Sequence, residues 1–324
     1  MDHVGNEWRT ALPGTATIGP WSPAGFRFHA GPWEPGAARR FCLAVARDHY
    51  ENFPVMLSLF RLEVREALAA VYAFARTADD FADEPQFAAF REHLLDQWES
   101  QLDDCFAGKA SHPVFIALGE AVRRFGLEIG PFRDLLSAFR QDCRKDHYDT
   151  VEDLLDYCRR SANPVGRIVL RVLGIDRPEF RVWSDDICTA LQLANFWQDV
   201  SVDVRRGRLY LPLSDLERFA VRPEALLSGR PPPAFDDVVR FEVDRTRDLF
   251  RSGRPLVENT AFPEQLYFAG VWLGGRTVLR MVKDLGADVF FKRPSLGTGA
   301  LALVWLRAAP EKLAKYGGGL GWIR

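Results

Sequence analysis

The segment Tyr72-Ala-Phe-Ala-Arg76-Thr-Ala-Asp79-Asp80-Phe-Ala-Asp83 sets three carboxylates and a guanidinium within about three turns of a helix. Asp79 and Asp83, at i and i+4, share one face, and Arg76 and Tyr72 continue it upstream. Much later, Gln192-Leu-Ala-Asn195-Phe-Trp-Gln198-Asp199-Val-Ser-Val-Asp203 repeats the device. There Asn195, Asp199 and Asp203 fall at i, i+4 and i+8, a drift of only about 80° around a helix. Like charges at i,i+4 destabilise a helix by about 0.2–0.5 kcal/mol per pair, and burying them unpaired among Ala, Phe, Leu and Val would be far more unfavourable. A cation resolves the conflict. Oxygen donors without His or Cys select a hard ion, and Mg²⁺ takes a few carboxylates and completes its octahedron with water and phosphate oxygens. A single DDxxD cluster is commonly a solvated helix end. Two separated stripes, each in apolar sequence and each flanked by an amide or guanidinium donor, are hard to explain as surface.

The elements that must carry these stripes are helices. From Ala37 onward apolar residues recur at helical spacing, as in Leu62, Leu68, Val71, Phe74 and Ala78, and strand signals are scarce. Breaks are expected at Pro54, Glu84-Pro85, Gly108 to Pro113, Gly126 to Pro131, Gly174 to Pro178, Pro212, Arg230 to Pro233, Pro255 and Pro294. They leave about ten segments of helical length. With no linker-like composition shift or fixed-period repeat, residues 37–293 read as one all-α domain. Residues 1–36, rich in Gly and Pro, read as a loosely ordered arm, and residues 294–324 as a C-terminal helix and tail. That tail either packs on the domain or lies at a membrane interface, because an apolar run is followed by Lys312 and Lys315.

Composition excludes several classes of function. The 324 residues are 47% hydrophobic and 27% charged, enough for a sizeable core, and the net charge of −2 without Lys/Arg runs argues against a nucleic-acid partner. The five cysteines are scattered without CxxC spacing, which fits neither a disulfide framework nor a zinc site and points to a reducing cytoplasm. His49, His93, His112 and His147 are not spaced as metal ligands or as members of a triad. The first residues lack a secretory pattern, and nothing approaches the ~18 apolar residues that span a bilayer, so a cytoplasmic and at most membrane-peripheral chain is expected.

The ordered motifs resemble the squalene/phytoene synthase family, head-to-head prenyltransferases of the all-α isoprenoid synthase fold. The resemblance runs from about residue 37 to residue 293 and rests on Tyr72-x3-Arg76-x2-Asp79-x3-Asp83, the Asp142 to Asp146 segment, Tyr157-Cys158-Arg-Arg-Ser-Ala-Asn-Pro-Val165-Gly166, Gln192-x2-Asn195-x3-Asp199-x3-Asp203 and Gly207-Arg208-Leu-Tyr210-Leu211-Pro212. It implies a helical bundle around a central cavity, with two acidic helices facing one another and holding several Mg²⁺ ions on an isoprenoid diphosphate. By position, Asp79, Asp83, Asn195, Asp199 and Asp203 resemble metal ligands. Arg76, Asp80, Gln192, Arg208 and Tyr210 resemble diphosphate contacts or supports for the ligands, and Tyr72 and Tyr157 resemble pocket tyrosines suited to a cationic intermediate.

Within the family, His49-Tyr50-Glu51-Asn52-Phe53-Pro54, Trp197-Gln198-Asp199 without an Arg before the Asp, and Ser161-Ala162-Asn163-Pro164 resemble the bacterial hydroxysqualene synthase branch of hopanoid and squalene biosynthesis. The implied reaction is loss of diphosphate from presqualene diphosphate, opening of the cyclopropylcarbinyl cation and capture of water. Enzymes supplying presqualene diphosphate and removing the hydroxyl would be functional partners. Asn163 either holds the attacking water or is a helix-kink amide beside Pro164. No Rossmann motif is present and no nicotinamide cofactor is expected, although squalene synthases of this fold use NADPH without one. The alternatives are condensation of two farnesyl or geranylgeranyl diphosphates to presqualene diphosphate, dehydrosqualene or phytoene, and a non-catalytic respiratory-complex assembly factor of the same fold.

Overall fold

The computed structural model describes residues 33–48 and 59–296. The expectations for residues 1–32, for His49 to Pro54 and for the tail beyond residue 296 fall outside the described residues. Thirteen α-helices are formed among those described: α1 (Pro35–Asp48), α2 (Leu62–Asp83), α3 (Arg91–Phe106), α4 (Pro113–Phe125), α5 (Gly130–Asp142), α6 (Val151–Ser161), α7 (Asn163–Val172), α8 (Pro178–Asp203), α9 (Leu213–Arg218), α10 (Pro223–Leu227), α11 (Phe235–Gly253), α12 (Pro255–Asn259) and α13 (Glu264–Leu285). Among the described residues the architecture is all-α, as the helical spacing of the sequence predicts.

Local chemistry explains most boundaries. Proline stands in the first two positions of α4, α5, α7, α8, α10 and α12, where its missing N–H is no loss and its fixed φ suits a helix start. Gly126 caps α4 in the left-handed conformation, at φ 63°. Thr150 and Asp153 form a capping box at the start of α6. Two boundaries carry no strong Gly or Pro signal before them: the Cys143 to Thr150 loop, and the break at Ala162 that separates α6 from α7.

Helix α2 buries Ala67, Leu68, Ala69, Ala70, Val71, Ala73, Phe74 and Ala78, so its small side chains let neighbouring helices approach closely. Phe74 meets Phe115 at 5.9 Å and Phe132 at 5.3 Å edge-to-face, while Trp98 Nε1 donates to the Phe74 carbonyl at 3.2 Å. Helix α8 is the central element, packed on α7, α11 and α13. Gly166 of α7 makes one of these contacts possible, since a Cβ there would lie 2.3 Å from Ser184 Oγ and 2.6 Å from Cys188 Sγ. All five cysteines are free thiols.

Two loops are stitched together at one end of the bundle. Leu209 N–H donates to the Asp146 carbonyl at 2.7 Å, and Leu213 N–H to the Tyr148 carbonyl at 2.9 Å. His147 and Leu209 form an isolated parallel bridge, the one β-type pairing among the described residues. This seam presses the segment after α8 against the end of α5. No helix among the described residues is long and apolar enough to cross a membrane.

Candidate active site

Besides α1, which stops at Asp48, three helices end on aspartate: α2 on Asp83, α5 on Asp142 and α8 on Asp203. A helix C-terminus already carries a partial charge of about −0.5, so each terminal carboxylate adds to an unfavourable potential rather than offsetting one. The last turns of α2 and α8 contain no basic residue.

One guanidinium links these ends. Arg208, just beyond α8, donates through Nη1 to Asp83 Oδ1 at 2.7 Å and through Nη2 to the backbone carbonyl of Asp142 at 3.4 Å. The second contact satisfies a carbonyl that helix geometry leaves without an intrahelical donor. Arg206 stands 3.8 Å from Asp83 Oδ2. Burial disfavours the charge on Arg208, but Asp83, Tyr210 and Asp142 outweigh it and hold the guanidinium above its ordinary pKa.

The carboxylates themselves are strained. Burial raises Asp79 to about 7, helped by Asp83 and opposed by Arg76. Its side chain nevertheless has 41% of its surface accessible, so solvent or an ion can reach it. Asp203 is likewise raised to about 7 by burial and by Asp199, and it also feels Asp83 from the other acidic helix. Asp142 is raised to about 8 by burial, against a stabilising hydrogen bond from Tyr157 and with Asp83 and Asp79 adding repulsion. The two stripes and the end of α5 therefore share one electrostatic site.

The other expected residues are distributed around it. Arg76 reaches Asp80 at 2.8 Å and Asp79 at 3.4 Å, so it turns toward the acidic end of α2. Tyr72 lies one turn further back, its hydroxyl raised to about 12 by burial. Tyr210 stacks on Phe196 at 3.9 Å with an 8° interplanar angle and on Tyr148 at 5.9 Å. Tyr157 completes this aromatic box, 5.7 Å from Tyr148 and 6.1 Å from Phe196. Gln192 is half-buried and Asn195 exposed, two turns and one turn before Asp199 on α8 respectively, and no hydrogen bond joins either to the acidic residues among those described. Asn163 opens α7, buried, and its Oδ1 accepts from Thr189 Oγ1 at 3.0 Å.

Two participants were not singled out by sequence reasoning. Asp142 was visible only as part of a motif, and its role depends on α5 ending there. Arg293 pairs with Asp199 through Nε, with Nη2 3.3 Å from the second oxygen, while Gln198 Nε2 donates to the neighbouring Pro294 carbonyl at 2.6 Å. The absence of an Arg at position 198 therefore does not leave this end of the site without a cation: Arg293, 94 residues beyond Asp199, supplies one.

Among the described residues, no three His, Cys, Asp or Glu side chains cluster tightly enough to hold an ion unaided. Carboxylates gathered at helix ends without a tight cluster suit an ion that draws its remaining donors from water and a diphosphate. Oxygen-only donors with raised pKa values fit a hard divalent cation, which would relieve the repulsion among them.

Residues 46–299 match the family model for squalene/phytoene synthase. The chain belongs to the squalene/phytoene synthase family. It is 32% identical over 294 residues to the 15-cis-phytoene synthase of a Synechocystis species, covering 84% of this chain and 85% of that one. It is 34% identical over 222 residues to a phytoene synthase of Arthrospira platensis, covering 64% and 72%. Among solved structures, squalene synthase HpnC from Alicyclobacillus acidocaldarius superposes with a TM-score of 0.74 at 38% identity, covering 80% of this chain and 98% of that one. A ligand-bound dehydrosqualene synthase superposes with a TM-score of 0.77 at 24% identity, over 86% and 98%, and shares the fold. The family is one of isoprenoid synthases acting on isoprenoid diphosphates.

Proposed function

We propose that this squalene/phytoene synthase family member is a Mg²⁺-dependent head-to-head synthase that ionises a prenyl diphosphate, with condensation of two prenyl diphosphates as its principal reaction. The single observation that carries this reading is the convergence of Asp83, Asp142 and Asp203 at three helix ends, tied by Arg208. The names of the phytoene synthase relatives and of the squalene synthase neighbour support condensation.

The residues have separable tasks. Asp79, Asp83, Asn195, Asp199 and Asp203 would hold the ions, directly or through water. Bound Mg²⁺ would supply positive charge against the electrons that accumulate on the departing diphosphate. Arg76, Arg208 and Arg293 add fixed guanidinium charge at the same end, with Asp80 orienting Arg76 and with Gln192 and Tyr210 as further contacts. The C–O bond breaks with its electron pair leaving on the diphosphate, and the carbocation left behind is shielded by Tyr72, Tyr157 and the rings beside them. Burial keeps both phenols protonated, so they present neutral oxygens and π faces rather than nucleophilic phenolates.

A second reading, hydroxysqualene formation from presqualene diphosphate, rests on the resemblance of Ser161-Ala162-Asn163-Pro164 and Trp197-Gln198-Asp199 to that branch of the family. Asn163 would then sit near the water that captures the cation. Incubating purified protein and Mg²⁺ with farnesyl diphosphate, geranylgeranyl diphosphate or presqualene diphosphate, with and without NADPH, separates the readings by mass spectrometry. Coupled products from farnesyl or geranylgeranyl diphosphate support condensation, whereas turnover of presqualene diphosphate alone to an alcohol supports the second reading. No diphosphate release from any of the three defeats both.

A further inference from the structure

Tyr157 and Asp142 are joined across the loop between α5 and α6, the phenol donating to Asp142 Oδ2 at 2.7 Å. The ring is almost wholly buried within the aromatic box, which leaves the hydroxyl little freedom to turn. Asp142 Oδ1, also buried, has no hydrogen-bond partner among the described residues. The carboxyl group is therefore held by the phenol on one oxygen, while the other is left without a hydrogen bond. Asp142 lies near enough to Asp83 and Asp79 to be repelled by both, which places the Tyr157 oxygen on the acidic side of the box.

A phenol has one proton. Because that of Tyr157 is donated to Asp142, only the oxygen's lone pairs remain to face anything else in the site. An oxygen so arranged cannot donate to the departing diphosphate, but it can point negative charge density at a cation. We propose that Asp142 is a positioning residue: by accepting the Tyr157 proton it turns the phenol's lone pairs toward the carbon that becomes cationic when diphosphate departs. No bond forms to Tyr157 and no proton is transferred; the electron pair of the breaking C–O bond leaves on diphosphate, and the phenol acts by its dipole alone. The inference rests on the prenyl diphosphate reading above and adds to it the source of Tyr157's orientation.

The test compares Asp142→Leu and Asp142→Ala, which remove the acceptor by different shapes, with Asp142→Asn, which keeps an oxygen in place. Steady-state turnover of the active prenyl diphosphate is read beside calorimetric affinity for an ammonium analogue of the prenyl cation in the presence of Mg²⁺ and inorganic diphosphate. In the Leu and Ala variants kcat and analogue affinity fall roughly tenfold to a hundredfold, the range of one strong hydrogen bond, with KM within about twofold. Asp142→Asn stays within about fivefold of the native protein. Tyr157→Phe combined with Asp142→Ala is no worse than Tyr157→Phe alone, as expected of residues acting as a unit. Unchanged kcat in both the Leu and Ala variants, or losses that add in the double variant, overturns the role of Asp142 while leaving the synthase reading intact. A native protein that neither turns over a prenyl diphosphate nor binds the analogue overturns both.

Discussion

Arg208 and Asp83, 125 residues apart in sequence, meet at 2.7 Å through Nη1 and Oδ1, and the same guanidinium caps the carbonyl of Asp142. The contact fastens the segment following α8 to the ends of α2 and α5. Only a planar fork with several donors can serve both partners at once, which a lysine ammonium on its flexible stem cannot do with the same geometry.

Replacing Arg208 by Leu should therefore lower the stability of the metal-free protein by about 1–3 kcal/mol, because three repelling carboxylates lose their shared counter-charge. Arg208→Lys should recover part of the stability but little of the activity. Urea unfolding alongside diphosphate release checks both, and a fully active Lys variant would show that charge alone suffices.

Asp79→Asn and Asp199→Asn should each abolish Mg²⁺-dependent consumption of prenyl diphosphate while the helical circular dichroism persists. Neutralising Asp79 also removes a carboxylate that burial and Asp83 already disfavour. The Asp79→Asn protein should thus be at least as stable as the native one without metal. Loss of both activity and fold would instead mark Asp79 as structural.

Arg245 lies between Asp215 and Glu242, donating to each at 2.7 Å and 2.8 Å from Nη1. One cation shared by two carboxylates leaves Glu242, 1% exposed, raised to about 8 by burial despite Arg245. Between the ordinary glutamate pKa near 4.5 and about 8, the folded protein keeps a proton that the unfolded chain has released. That group's stability contribution is present at the lower end of this window and declines as pH rises through it. Its slope is at most about 1.4 kcal/mol per pH unit. Glu242→Gln should flatten the fall in unfolding free energy between pH 5 and pH 8 by about one proton. An unaltered slope would mean that Glu242 is ionised in the native state.

Gly166→Ala should destabilise by about 1–3 kcal/mol, since the new methyl meets Ser184 Oγ and Cys188 Sγ well inside contact distance. Pairing it with Ser184→Gly should recover part of the loss. Thermal unfolding of the two variants decides; a neutral Gly166→Ala would show that α7 can shift away from α8 freely.

Sequence by itself determined the helical class and both carboxylate stripes, because amphipathic period and i,i+4 spacing are local properties that a linear chain displays directly. Most proline- and glycine-marked breaks appeared where expected, for the same reason: Pro and Gly act on the backbone at their own positions. Tertiary structure decided what the stripes face. Asp142 joins them because α5 stops there, at a loop without a strong breaker residue. Arg208 reaches Asp83 only because the loop before α6 is stitched to the segment after α8. Arg293, folded back onto Asp199, stands where the local sequence around Gln198 showed no cation at all. Such pairings join residues tens to more than a hundred positions apart, and no periodicity encodes them; they arise when burial of apolar faces fixes which helix ends meet.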